Sequence, residues 1–215
     1  MLSKRLNAIK NLVDKDKVIY DVGTDHALLP CFLVKENIAK KVYAVDNKEG
    51  PLLKAKENIN KFGLDGKVIP ILSNGIDDIK NDVNIITICG MGYFTLIDIL
   101  KDKDLSKYEK IIVQINKDTN LFRQYLSDNE YTIIDEEIVF DDFYYEIIVF
   151  NAKKDKKLNH LEIEYGPKNL EKRSEIFIDY LNDRKNKLII VNESAHKQEY
   201  TKIIKEIDDI INTIM

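Results

Sequence analysis

Proline and glycine are scarce in this chain, 4 and 8 among 215 residues, and that scarcity excludes a low-complexity or disordered architecture. Hydrophobic residues at 44% and charged residues at 33% describe a globular protein long enough to bury one sizeable core, with material left for a second module. Long apolar runs are missing as well. None approaches the ~20 residues that cross a bilayer, and the opening Met1-Leu2-Ser3-Lys4-Arg5 leads into an amphipathic pattern rather than a secretory core. The expectation is a cytoplasmic protein without a membrane partner. Only two cysteines occur, Cys31 and Cys89. With no CxxC spacing and no histidine beside them, they build neither a zinc site nor a disulfide framework, so no metal is expected and both thiols should be buried and reduced. An excess of positive charge is also absent: the net charge is −4, which by itself speaks for no nucleic-acid partner. Residues 151–215 are slightly basic while the rest is acidic, so any phosphate binding rests on local patches.

What is present is alternation. From Val18 onward, short β-branched runs (Val18–Val22, Lys41–Asp46, Val68–Leu72, Asn84–Cys89 and Lys110–Ile115) are separated by stretches of helical period, the pattern of five βα units in a parallel sheet. Gly50-Pro51 opens one such helix and Gly63 closes it. Two consecutive strand-like runs follow, Tyr131–Phe140 and Phe143–Phe150, and Asp141-Asp142 between them is short enough to make them antiparallel. The expected fold is therefore α/β: a Rossmann-like, mainly parallel seven-stranded sheet ending in an antiparallel hairpin, as in class I methyltransferases. At the front, Leu2, Leu6, Ile9 and Val13 make a helix that either lies over a ligand site or only packs on the sheet. The charged stretch Lys153-Lys154-Asp155-Lys156-Lys157 is read as a boundary, giving domains 1–152 and 153–215. In the second, Leu170, Phe177, Leu181 and Leu188 form one stripe; Tyr200, Ile203, Ile207, Ile210 and Ile214 form another after a break at Asn192-Glu193-Ser194. Two helices packed as a coiled-coil hairpin bury both.

Polar and glycine residues gather where strands end, which is where doubly wound sheets bind ligands. Asp21-Val22-Gly23-Thr24-Asp25-His26 closes the first strand: Gly23 lets the backbone approach a cofactor, and the amides of the next helix can hold a carboxylate. Asp25 and Ala27 stand where a GxGxxG pattern needs glycines, which counts against a dinucleotide. Asp46, followed by Asn47, closes the second strand, where a carboxylate can accept both hydroxyls of a ribose. Asn74-Gly75 follows the third strand and Gly90-Met91-Gly92 the fourth.

These residues carry a resemblance. Leu2-Ser3-Lys4-Arg5-Leu6, Asp21 to Ala27 with Leu29-Pro30, Gly50-Pro51, Asn74-Gly75, Gly90-Met91-Gly92, Gln114 with Asn116, Tyr145-Glu146 and Tyr165-Gly166-Pro167 together resemble the bacterial tRNA (adenine(22)-N1)-methyltransferases, the TrmK family, over almost the whole chain. The Asp25-His26 pair in place of glycines is the most specific element. Two positions depart from the family pattern: Tyr93 stands where a third glycine is usual, and Ile115 where Gln-Pro-Asn is usual.

The resemblance implies methyl transfer from S-adenosyl-L-methionine to N1 of an adenine in tRNA, by a monomer or weak homodimer. N1 lies on the Watson–Crick edge, so a paired target must be flipped out and received on an aromatic surface, for which Tyr93 and Tyr145 are candidates. Asp25 is placed to stabilise the cationic product or accept its N6 proton, His26 to position Asp25 or contact the cofactor carboxylate, and Gln114 and Asn116 to meet the adenine edge. Lys153, Lys154, Lys156, Lys157, Lys168, Lys172, Arg173, Arg184 and Lys185 are candidates for gripping phosphates; each alone is also an ordinary solvated charge. A small-molecule methyltransferase and a non-catalytic RNA-binding protein remain the alternatives.

Overall fold

The β-branched runs form one sheet, and the alternation along each strand decides which side chain meets which layer of helices. In the computed structural model, which describes residues 2–214, the strands are β1 (Lys17–Val22), β2 (Ala39–Asp46), β3 (Val68–Leu72), β4 (Ile85–Met91), β5 (Lys110–Ile115), β6 (Tyr131–Asp141) and β7 (Phe143–Lys154). Their order is β3-β2-β1-β4-β5-β7-β6, with β1 to β5 parallel and β7 antiparallel to both β5 and β6. The hairpin turns where expected: Asp141 pairs with Phe143, and Asp142 takes the corner at φ 65°. Because β1 lies between β2 and β4, the winding reverses there and a crevice opens above the C-terminal ends of those strands.

Helices cover both faces. Ile9 of α1 (Lys4–Asn11), Leu33 of α2 (Leu28–Lys35), and Ala55 and Ile59 of α3 (Glu49–Phe62) bury Ile19, Val42, Ile85 and Ile112 on one side. Leu96 and Leu100 of α4 (Tyr93–Leu100) with Phe122 and Leu126 of α5 (Thr119–Asp128) bury Tyr20, Ile86, Ile111 and Phe150 on the other. The helix expected to close at Gly63 does so, with that glycine left-handed at φ 66°. One expected unit is absent: residues 73–84, between β3 and β4, hold turns and no helix. Asn74-Gly75, Asp77-Asp78 and Asn81-Asp82 supply turn formers there and leave too few apolar positions for a helical stripe.

At the hairpin end, Arg123 of α5 is wholly buried. It meets Glu136 of β6 at 2.7 Å and Glu146 of β7 at 2.5 Å, and the second oxygen of Glu136 accepts the Lys168 amide at 2.9 Å. A short helix, α6 (His160–Tyr165), starts from an Asn159–Glu162 capping box and ties to α5 through Asn120 Nδ2 and Glu164 Oε1 at 2.8 Å. The expected boundary after residue 152 thus falls inside β7. Compact packing continues to Lys168, and the second unit runs from Asn169 onward.

That second unit comprises most of α7 (Pro167–Lys172), α8 (Glu175–Ala195) and α9 (Gln198–Ile214). Phe177, Leu181 and Ile207 of the two expected stripes are fully buried; Leu188, Tyr200, Ile203 and Ile210 are half-buried, and Ile214's side chain lies outside the described residues. Leu170 sits on α7, ahead of the stripe that Phe177 and Leu181 form on α8. The break falls at His196 (φ 49°) rather than at Asn192-Glu193-Ser194. Asn192 supports that turn from inside the helix: its carbonyl accepts from His196 N–H at 2.9 Å and its Oδ1 from Lys197 N–H at 2.7 Å.

Candidate functional site

Alternation draws a line of polar side chains along one face of the sheet's ligand edge. Ile19, Ile85, Ile112 and Ile147 all pack into the α1–α3 layer. Stepping by two from each puts Asp21, Thr87, Gln114 and Tyr145 on that same face. Asp21 is 4% exposed and accepts the Thr87 hydroxyl at 2.6 Å. Burial raises its pKa to about 6; the Thr87 hydrogen bond opposes the rise and the charge of Asp46 adds to it. No lysine, arginine or histidine pairs with it among the described residues.

After Asp21 the chain bends sharply. Gly23 has φ 71°, a conformation that strains any residue with a β-carbon, and such a carbon would lie 2.5 Å from Cε at the movable end of Met91. Asp25 and Ala27 adopt φ 51° and 52° without being glycine, a strain of about 1–3 kcal/mol each. The bend is braced by Thr24 N–H on Val45 O at 2.9 Å and Asn58 Nδ2 on His26 O at 2.8 Å. Asp25 does not cap α2, whose N-cap is Ala27 without a side-chain bond; its carboxylate lies in the open, 3.4 Å from His26 Nε2.

Two cavities meet at Gly23. One, about 370 Å³, is lined by Gly23, Asp46, Asn47, Asn74, Gly75 and Met91, with Ser73, Thr95 and Ile99 behind them. Asp46 gives one oxygen to the Lys48 amide at 3.0 Å. The other, about 270 Å³, is lined by Asp21, Gly23, Thr24, Asp25, His26 and Gly90 together with Arg5 and Leu28. The hydroxyls of Thr24 and Ser73, one in each cavity, are buried near the Asp21 carboxylate and the Tyr20 hydroxyl respectively, and neither makes a hydrogen bond of good geometry.

Beside the second cavity the sheet is interrupted. Between Cys89 and Met91 the β4–β5 register shifts, and Gly90 bulges out at φ 77°. Side chains take over its pairing: Gly90 N–H donates to Gln114 Oε1 at 3.1 Å, and Gly90 O accepts from Asn116 Nδ2 at 2.7 Å. Gln114 is fully buried while Asn116 is exposed. Tyr145 is half-buried under the Arg5 guanidinium, whose carbon lies 5.2 Å from the ring centroid. Tyr93 packs partly into the core edge-on to Phe94, 5.2 Å away, and it is Phe94 that stands 71% exposed. Gly92 faces Lys117, whose Cε would be 3.7 Å from an added β-carbon.

The proposed cations are scattered. Lys153 and Lys154 lie at the end of β7 that pairs with Tyr131, across the sheet from the ligand edge, and Lys154 pairs with Glu130 at 3.1 Å. Lys156 pairs with Glu162 and Lys185 with Asp208. Arg173 is exposed and reaches the Leu170 and Thr213 carbonyls; Lys172 is exposed, and Lys168 and Arg184 are half-buried. Two residues of the site escaped the sequence analysis as site residues, Thr87 and Arg5. Arg5 had left a signal: it stands three residues after Leu2 and four before Ile9, on the stripe of α1 that packs inward. Both thiols are free, and burial raises Cys31 to about 11.

Residues 2–148 match the family model described as a methyltransferase domain. The chain is 36% identical over 156 residues to the tRNA (adenine(22)-N(1))-methyltransferase of Bacillus subtilis (strain 168), covering 70% of this chain and 65% of that one, just under two thirds of the relative's length. Among solved structures, TrmK of M. capricolum in complex with S-adenosyl-homocysteine is similar at 35% identity and a TM-score of 0.83, over 100% of this chain and 98% of the other. A Streptococcus pneumoniae protein in complex with S-adenosyl-L-methionine is similar at 31% identity and a TM-score of 0.90, over 98% and 100%. Sheet order, the bend at Gly23 and these similarities converge: the chain belongs to the class I methyltransferases, in the family of bacterial tRNA (adenine(22)-N1)-methyltransferases.

Proposed function

We propose that this chain transfers a methyl group from S-adenosyl-L-methionine to N1 of adenine 22 in tRNA. The observation that carries the proposal is the pair of cavities joined at Gly23, one of a size for a nucleoside and the other lined by the buried Asp21 and by Gly90, to which the Gln114 and Asn116 amides are hydrogen-bonded. The residues fit the cofactor. Asp46 and Asn47 would hold its ribose hydroxyls, Asn74 and Gly75 its adenine, and Gly90 and Met91 would flank the methyl-bearing end. Asp21 offers a buried negative charge to a cationic ligand, and the Thr24 and Ser73 hydroxyls, which make no protein hydrogen bond of good geometry, would gain one from a polar ligand. When bound, S-adenosyl-L-methionine supplies an electrophilic methyl group on a sulfonium.

The chain's own residues receive and align the acceptor. Asn116, exposed beside Gly90, presents an oriented amide to the adenine edge, and Tyr145 offers the neighbouring ring. Asp25, open to solvent at the rim of the second cavity, takes the N6 proton or balances the positive charge of the methylated base, with His26 at 3.4 Å to orient it. Gripping of tRNA phosphates falls to cations including Lys168, Lys172, Arg173 and Arg184.

The test is transfer of labelled methyl to unmodified tRNA transcripts by wild type and Asp46→Ala, with a second transcript carrying guanine at the target position. Label at adenine N1, lost with the guanine transcript and reduced about tenfold in kcat/KM for the cofactor by Asp46→Ala, supports the proposal. Tight cofactor binding with no transfer to tRNA keeps the fold and turns the substrate toward a small molecule.

A further inference from the structure

Arg5 reaches further into the site than a packing residue needs to. Its NH1 donates to Gln114 Oε1 at 2.6 Å, its guanidinium lies 5.2 Å from the Tyr145 ring centroid, and its backbone N–H donates to Asp141 Oδ2 at 3.1 Å. Gln114 Oε1 accepts twice, from Arg5 and from Gly90 N–H, which leaves its amide one orientation. Nε2 therefore donates to Asn116 Oδ1 at 3.1 Å, and Asn116 Nδ2 to Gly90 O at 2.7 Å. Arg5, Gln114, Asn116 and Gly90 form one directed chain in which each donor polarises the next. Asn116 ends exposed, with a second Oδ1 lone pair and a second N–H unspent by that chain.

We propose that Arg5 is a positioning residue for the acceptor base. Through Gln114 it holds Asn116 Oδ1 where it accepts from the 6-amino group of adenine, and by lying over Tyr145 it fixes the ring on which that base stacks. The inference rests on the function proposed above and deepens it. A planar guanidinium performs both tasks at once; a lysine ammonium is a point charge without that fork.

The experiment uses full-length Arg5→Ala, Arg5→Lys and Gln114→Glu with two transcripts, one carrying adenine and one carrying purine, which lacks the 6-amino group, at the target position. Gln114→Glu keeps an acceptor for Arg5 and Gly90 but has no N–H for Asn116. In each variant kcat on the adenine transcript is expected to fall about ten- to a hundredfold while KM for S-adenosyl-L-methionine stays within roughly twofold. The adenine-over-purine rate ratio shrinks toward one, and the Arg5→Ala/Gln114→Glu double variant loses no more than the worse single one. Melting temperatures and cofactor affinity identify variants that fold, and Arg5→Lys and Gln114→Glu carry the test if Arg5→Ala does not. Folded variants with the wild-type ratio, or a cofactor KM that rises in step with the lost rate, overturn the role. If wild type methylates neither transcript, the function itself is wrong and this inference falls with it.

Discussion

Arg123 and Asp21 are both buried, on opposite faces of the same sheet, at 0% and 4% exposure, and their surroundings treat them in opposite ways. Arg123 has carboxylates at 2.7 and 2.5 Å, which hold it charged. Asp21 has a threonine hydroxyl and no counter-cation, and its pKa climbs to about 6. A buried charge with its partners belongs to the scaffold, because removing one member strands the others. A buried charge without a partner weakens the empty fold and strengthens any complex that brings the opposite charge. The hairpin end of the sheet is finished by its own chain, while the β1 end leaves a buried acid without a counter-cation among the described residues.

The largest effect should come from breaking the finished side. Arg123→Ala strands two carboxylates and is expected to cost about 3–5 kcal/mol, lowering Tm by roughly 10 °C; a calorimetric Tm equal to wild type would remove Arg123 from the scaffold. The unfinished side should respond with the other sign. Asp21's folded pKa lies above its ordinary 3.8, so its contribution to stability is fully present below pH 3.8 and is lost as pH rises through about 6. At pH 8 the ligand-free Asp21→Asn variant should be more stable than wild type by on the order of 3 kcal/mol, and should bind S-adenosyl-L-methionine at least about tenfold more weakly. Denaturation and titration calorimetry at pH 5 and 8 check both; a variant less stable at pH 8 with undiminished affinity contradicts the comparison.

A smaller cost, about 1–2 kcal/mol, is expected for Gly23→Ala, where left-handed φ and Met91 both oppose a methyl group. Met91 can move, so cofactor affinity should suffer more than Tm. The smallest effect belongs to Lys153→Ala and Lys154→Ala, on the edge away from the cavities: thermal unfolding should stay within ~0.5 kcal/mol of wild type and KM for tRNA should not change. A clear rise in that KM would show that tRNA wraps to the far edge.

Strand positions were legible because β-branched runs with period-two alternation leave little choice of element, and β3 and β5 fall on the expected residues. Glycines and acids at strand ends are local features too, and Gly23, Asp46, Asn74 and Gly75 do line one cavity together. What escaped depends on partners distant in sequence. Glu136 and Glu146 read as ordinary acidic residues until the hairpin folds them onto Arg123. Gly90 gives no sign of its bulge without Gln114 and Asn116 beside it. The lysine run at 153–157 reads as a linker, yet two of its members finish a strand. Arg5 shows only that an arginine on an inward stripe must find a partner, and that partner is 109 residues away.

That separation bears on how the protein is made. Arg5 and Asp141 are 136 residues apart, so α1 leaves the ribosome on the order of ten seconds before its partner strands exist. Contacts of such span close late in folding. The strands whose ends border the larger cavity, β1 to β4, are all synthesised earlier. The wall that Arg5 builds with Gln114 and Asp141 is thus completed only when the last hairpin meets the first helix.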